Sequence, residues 1–171
     1  MAVISKGSYT AVVHHQGRYY AANKDTKTIN VLELHADQWK QINSFSIYTD
    51  KCSFISLGIL KNLIYVCSSS DSRIDAYTLN GVQFITGERG NKAPGELYWP
   101  RICDTEASGS LLIVDSWNDR LQVMSAYCQW SIMQLDPHVK KPQSACLVND
   151  TLYVNHLNEN GNWFISSYKS E

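Results

Sequence analysis

The segment that decides the fold runs from Gly87 to Met124 and reads GERGNKAPGELYWPRICDTEASGSLLIVDSWNDRLQVM. It opens on a lead punctuated by Gly87, Gly90 and Gly95. Pro100 then introduces a short apolar run, Arg101 to Cys103. Ser108-Gly109 follows as a turn signal, because glycine tolerates the positive φ that tight hairpins need. Next comes Leu111-Leu112-Ile113-Val114-Asp115, then a polar loop, then an alternating run from Arg120 to Ser125. Beyond the segment, Trp130 to Leu135 supplies a fourth run. Strand, turn, strand, loop, strand, turn, strand is an antiparallel meander.

The same unit recurs on both sides. Tyr19-Tyr20-Ala21-Ala22, Leu63-Ile64-Tyr65-Val66-Cys67 and Leu152-Tyr153-Val154-Asn155 stand where Leu111 to Asp115 stands. Anchored on Tyr20, Tyr65, Ile113 and Tyr153, the intervals are 45, 48 and 40 residues, within the range of propeller blades. Turn signals precede each anchor at Gln16-Gly17, Lys61-Asn62 and Asn149-Asp150. Apolar runs precede the turns at Tyr9 to His14, Phe54 to Leu60 and Ala145 to Val148. Third strands are expected at Thr28 to Leu34, Arg73 to Leu79 and Trp163 to Tyr168, and fourth strands at Trp39 to Ile47 and Val82 to Thr86. No segment holds a helical period. A β-sandwich also has short strands at this spacing, but it does not repeat one four-part unit. The pattern predicts an all-β chain: a β-propeller of about four blades of four antiparallel strands, partial or incompletely closed. It forms a single domain over 1–171, with blades near 8–48, 52–88, 99–136 and 142–169.

The third unit resembles an NHL repeat, at Gly87, Gly90, Gly95, Pro100, Gly109, Val114, Asp115, Ser116, Asn118, Arg120, Leu121, Gln122 and Val123. The other three units keep only the skeleton, with Asn23, Ser68 and Asn155 near the place of Asp115-Ser116. The likeness to the wider six-bladed, TolB-like propeller class extends over the chain. The NHL signature proper covers about a quarter of it. In this motif Asp115 and Asn118 flank a loop whose backbone N–H groups their side chains can hold. Arg120 is placed to pair with Asp115 or with a neighbouring carbonyl. The three are read as a structural motif, because repeat motifs mainly encode stacking.

Composition narrows the function. Lys and Arg number 15 against 16 Asp and Glu, a formal charge of −1. Nucleic-acid binders draw affinity from phosphate neutralisation and usually carry a basic excess. No run approaches the roughly 18 apolar residues of a membrane span, and the N-terminal stretch lacks a secretory pattern, so the expected address is the cytoplasm. The sequon at Asn149-Asp150-Thr151 would matter only in a secreted chain. Five cysteines, Cys52, Cys67, Cys103, Cys128 and Cys146, show no CxxC spacing. Cys67, Cys103 and Cys146 sit in apolar runs and are expected to be small buried hydrophobes.

Nucleophile-elbow, zinc-protease, phosphate-loop and EF-hand motifs are missing. His14-His15 is the one close histidine pair, and adjacent strand residues point to opposite faces; His35, His138 and His156 are scattered. No metal, cofactor or catalytic residue is expected, and the chain reads as a non-enzyme. The surface left for function is one end of the propeller, where second-to-third-strand loops and blade-to-blade loops emerge together. It offers Lys24, Asp25, Arg73, Arg89, Lys92, Tyr98, Trp99, Arg101, Trp117 and Trp163, with Trp99 and Trp117 as leading anchors. Resemblance to NHL propellers implies a protein partner, as in target recruitment by ubiquitin ligases, whose zinc motifs this chain lacks. Single-stranded RNA binding by the same end is the alternative, although Asp25, Asp71, Glu88, Glu96 and Asp119 interleave with its cations. A metal-dependent lactonase, as on six-bladed propellers, is the third reading and rests on fold analogy. Four blades also fall short of six. Completion is expected from missing blades, from a homodimer, or from Met1 to Lys6 supplying the strand that the fourth unit lacks.

Overall fold

The computed structural model describes residues 7–50, 55–106 and 109–169. It contains sixteen strands and one single-turn 3-10 helix. Met1 to Lys6, Cys52, Phe54 and Ser108, which figured in the sequence reading, lie outside the described residues.

The first sheet is β1 (Tyr9–His15), β2 (Arg18–Asn23), β3 (Thr28–His35) and β4 (Gln38–Ser46), in that spatial order. The second holds β5 (Ile55–Leu60), β6 (Leu63–Ser68), β7 (Arg73–Thr78) and β8 (Gln83–Arg89), with a two-residue strand β9 (Glu96–Leu97) added parallel to β8. The third is β10 (Pro100–Glu106), β11 (Ser110–Asp115), β12 (Arg120–Ser125) and β13 (Trp130–Gln134). The fourth has three strands among the described residues: β14 (Lys140–Val148), β15 (Thr151–Leu157) and β16 (Trp163–Lys169). Every pairing except β8 with β9 is antiparallel. Four antiparallel meanders in succession are four propeller blades.

Local chemistry explains the meanders. Gln16-Gly17, Ala36-Asp37, Lys61-Asn62 and Asn149-Asp150 each place two successive residues at positive φ between consecutive strands. That conformation matches the twist of the strands it joins. The loops after each second strand are held by side-chain acceptors. Asn23 Oδ1 takes the N–H of Asp25 and Thr26, Asp71 Oδ2 takes the Ser68 hydroxyl, and Asn158 Oδ1 takes the N–H of Asn160 and Asn162.

Three apolar cores fill three blade junctions. Tyr20, Ala22, Ile29 and Val31 of the first blade meet Ile55, Leu57, Ile64 and Val66 of the second. Tyr65, Cys67 and Ile74 meet Leu111, Ile113 and Met124 of the third. Leu112, Val114 and Leu121 meet Ala145, Leu152 and Val154 of the fourth. The innermost strands β1, β5, β10 and β14 touch one another in that order. No comparable contact joins β14 back to β1 among the described residues, so the blades form an open arc. No helix of the described residues is long and apolar enough to cross a membrane.

One burial expectation fails. Cys67 is buried and Cys103 partly so, but Cys146 is exposed. It pairs with Tyr153 on the outer face of the last blade, where no further sheet of the described residues covers it.

Candidate recognition site on the third blade

The site is built on a carboxylate. Asp115 ends β11 with no solvent exposure. Its Oδ2 accepts from Arg120 Nε at 2.8 Å, Asn118 Nδ2 at 2.9 Å and Gln122 Nε2 at 2.9 Å. Its Oδ1 accepts the backbone N–H of Tyr98 at 2.7 Å. A buried carboxylate costs several kcal/mol of desolvation unless its lone pairs are filled, and here four donors fill them.

Arg120 spends its remaining donors on the loop leading into the third blade. Nη1 donates to the Lys92 carbonyl at 3.0 Å, and Nη2 to those of Ala93 at 3.2 Å and Glu96 at 2.8 Å. Gln122 holds the same loop twice, donating to the Glu96 carbonyl at 2.7 Å and accepting from the Gly95 N–H at 2.9 Å. Asn118 Nδ2 reaches the Gly90 carbonyl at 3.1 Å. From within the loop, Glu96 accepts the N–H groups of Asn91, Lys92 and Ala93 at 2.8–3.1 Å. Those N–H bonds hold its carboxyl below the usual carboxylate range.

This frame fixes an aromatic pair at the surface. The Trp117 N–H donates to the Tyr98 carbonyl at 3.1 Å. The two rings lie 5.5 Å apart, tilted by 43°. The Arg89 guanidinium stands 5.2 Å from the Tyr98 ring centre, and Lys141 Nζ stands 4.7 Å from that of Trp117. Half of Trp117 is exposed. Trp99 is next in the chain, at φ 57, a left-handed conformation that bulky residues rarely adopt. Its N–H donates to Ser72 Oγ of the second blade at 3.2 Å.

Of the residues singled out in the sequence, Tyr98, Trp117 and Arg89 are brought together. Lys92 sits on the loop with its side chain exposed. Arg73 is engaged elsewhere, with Nε within 2.8 Å of both Asp75 carboxylate oxygens and its guanidinium over Tyr48. Arg101 lies on β10 opposite Val114. Lys24 is on the first blade, its N–H bonded to the Ser8 carbonyl, and Trp163 starts β16 opposite Leu157. Lys141 was missed. Its signal was the Lys140-Lys141 pair directly ahead of Pro142, where the chain enters the last blade.

The local charge also differs from the sequence reading. Glu96 is taken by backbone N–H groups and Asp115 by Arg120. Asp119 is taken by Lys140 Nζ and the Lys141 N–H. Asp115 and Asp119 are compensated by Arg120 and Lys140, while Glu96 stays charged on backbone N–H groups and Glu88 is exposed beside Arg89. Arg89, Lys92 and Lys141 outnumber these two acids by one.

The histidine pair divides as alternation requires. His14 packs on the Tyr19 ring at 4.6 Å and His15 Nε2 lies 2.8 Å from Asn62 Oδ1. They border a cleft of about 380 Å³ between the innermost strands, with Gly58, Ile102, Cys103 and Asp104. No three His, Cys, Asp or Glu side chains converge among the described residues.

No protein-family model matches the chain, and neither does any curated protein. Solved structures do. The chain superposes on virginiamycin B lyase from Staphylococcus aureus with a TM-score of 0.66 at 13% identity, over 95% of this chain and 55% of that one. The fold is a β-propeller. A Bacteroides thetaiotaomicron protein of unknown function matches at TM-score 0.73 and 13% identity, over 96% and 48% of the two chains. The computationally designed Ika4 protein matches at 0.58 and 11%, over 99% and 96%. The propeller chain thus spans a little over half the length of the lyase it resembles. The NHL likeness stays confined to the residues of the third blade that carry it.

The lyase corrects one expectation. An enzyme is built on this same arrangement of blades, so reading the chain as a non-enzyme does not stand. Activity lives in sites grafted onto a fold, and lacking the motifs of other folds says little about chemistry on this one.

Proposed function

We propose that the chain recognises a protein partner through the loops of the third blade around Tyr98 and Trp117, and that the partner segment is acidic. The observation that carries this reading is the stack Arg89–Tyr98–Trp117–Lys141, held by a buried frame in which Asp115 is paired with Arg120 and Asp119 with Lys140. Exposed Trp, Tyr and Arg in a rigid setting are the usual anchors of protein interfaces. Rigid aromatics lose little side-chain entropy on contact. Arg89, Lys92 and Lys141 outnumber Glu88 and Glu96 around the pair, and a cationic excess steers an acidic segment toward it.

The test is a fluorescence titration with a Glu/Tyr copolymer, alongside oligo-uridylate as the nucleic-acid comparator. The copolymer is expected to bind in low salt and to weaken with added salt. Trp117→Ala and Arg89→Glu should each reduce its binding at least tenfold. Binding of oligo-uridylate without the copolymer would replace this reading with the RNA one, and binding of neither would end it.

A further inference from the structure

Among the described residues, three blade junctions are filled and two blade faces are free. On each second strand, alternate residues point forward to the next blade. These are Tyr20 and Ala22 on β2, Tyr65 and Cys67 on β6, and Leu112 and Val114 on β11. The same positions on β15 are Tyr153 and Asn155. The following blade leaves Tyr20 at 1% exposure and Tyr65 at 0%, whereas Tyr153 stands at 40%. Its face is shared by Cys146 directly opposite, by Val148 two residues further along β14 and by Ile165 opposite Asn155. All three are exposed.

The other end shows the complementary half. Val12 pairs with Ala21 on the backward face of the first blade, as Leu57 pairs with Val66 on that of the second. Leu57, covered by the first blade, is 8% exposed; Val12 is 58% exposed. Leu34 and the edge-on Tyr19–Trp39 ring pair extend that face. Among the described residues, the arc therefore carries, unpaired at its two ends, the forward and backward halves of a junction it makes three times internally.

We propose that the free face of the fourth blade docks on the free face of the first blade of a second copy, and reciprocally, so that two arcs close one ring of eight blades. Area decides between one such contact and two. Three strands about 4.8 Å apart and six residues long present a footprint of roughly 300 Å². One junction then buries roughly 600 Å² in total, below the roughly 1,000 Å² at which specific interfaces begin, while a reciprocal pair buries roughly 1,200 Å² and passes it. A head-to-tail contact either closes or polymerises. The length relation favours closure with two, since the arc spans 48% of the Bacteroides thetaiotaomicron chain on which nearly all of it superposes.

Sedimentation velocity on the whole chain tests this. The expected species has twice the 19.4 kDa chain mass and does not grow with concentration. Tyr153→Arg and Val12→Arg, both at exposed strand positions, should each return it to the monomer mass, while Trp117→Ala should leave the dimer intact. Maleimide labelling of Cys146 should be at least tenfold faster in Tyr153→Arg than in the unaltered chain. A wild-type monomer, an open-ended series of larger species, or a dimer indifferent to both arginine variants overturns the proposal.

Discussion

The backbone N–H of Tyr98 hangs from Asp115 Oδ1 at 2.7 Å, so the residue presenting an aromatic ring to solvent is suspended from a carboxylate that solvent does not reach. The same carboxylate holds Arg120 Nε at 2.8 Å. Removing one partner of such a pair leaves the other charge buried and uncompensated. Asp115→Ala should therefore destabilise the fold by about 3–5 kcal/mol, read as a fall in the urea midpoint. Arg120→Lys should recover little, because an ammonium cannot span the Asp115 carboxylate and three carbonyls as a planar fork does.

Glu96 makes its bonds from the surface, and its loss should be local. Glu96→Gln is expected to speed hydrogen exchange at Asn91, Lys92 and Ala93 while leaving the core strands protected. In the unaltered chain the pH dependence follows from the depressed carboxyl. A lowered folded value means that the loop is held above the ordinary glutamate value of 4.5 and released as pH falls through the lower folded value. Exchange measured at those three amides across pH 3–6 should show that release, corrected for intrinsic rates.

Three buried groups set the alkaline limit. Burial pushes the Cys67 thiol, which donates to the Pro100 carbonyl at 3.2 Å, up to about 12. It does the same to the Tyr65 and Tyr77 phenols, each to about 12. All three are raised in the folded state, so their contribution is complete below the ordinary thiol and phenol values of 9.0 and 10.0 and is lost as pH rises toward 12. The urea midpoint should hold to about pH 9 and then fall. Phenolate absorbance should show two tyrosines ionising only as the chain unfolds.

Gly95 lies at φ 83 with its N–H on Gln122 Oε1 and the Trp130 ring against the space a Cβ would need, at 3.3 Å. Gly95→Ala should cost about 1–2 kcal/mol from the left-handed backbone alone. Thermal unfolding of that variant beside a Gly17→Ala control would separate the two contributions, since Gly17 has a similar φ of 77 and nothing within 4 Å.

Much of the architecture was legible because hairpin chemistry is local. Gln16-Gly17, Lys61-Asn62 and Asn149-Asp150 lie between the strands they were read to join. The alignment of the blades slipped once. Ile113 was set level with Tyr20, Tyr65 and Tyr153, but it faces the second blade and Leu112 faces the fourth. Leu111 to Val114 is apolar at every position because both faces are buried, so no alternation marked which residue points where. The aromatic pair was within reach of sequence reasoning, since Tyr98 and Trp117 are residue types that anchor interfaces. The spending of Glu96, Asp115 and Asp119 was not, because it depends on which backbone N–H groups the folded loops bring within 3 Å.

Arg120 grips the Lys92, Ala93 and Glu96 loop through carbonyl oxygens. A carbonyl is the same whatever side chain stands beside it. Residues 91–94 can therefore exchange their side chains without loosening the frame beneath them. The loop face of the third blade is in this sense a replaceable facing on a fixed mount: drift in four positions can retune what it touches, while Asp115 and Arg120 keep the geometry of the touch unchanged.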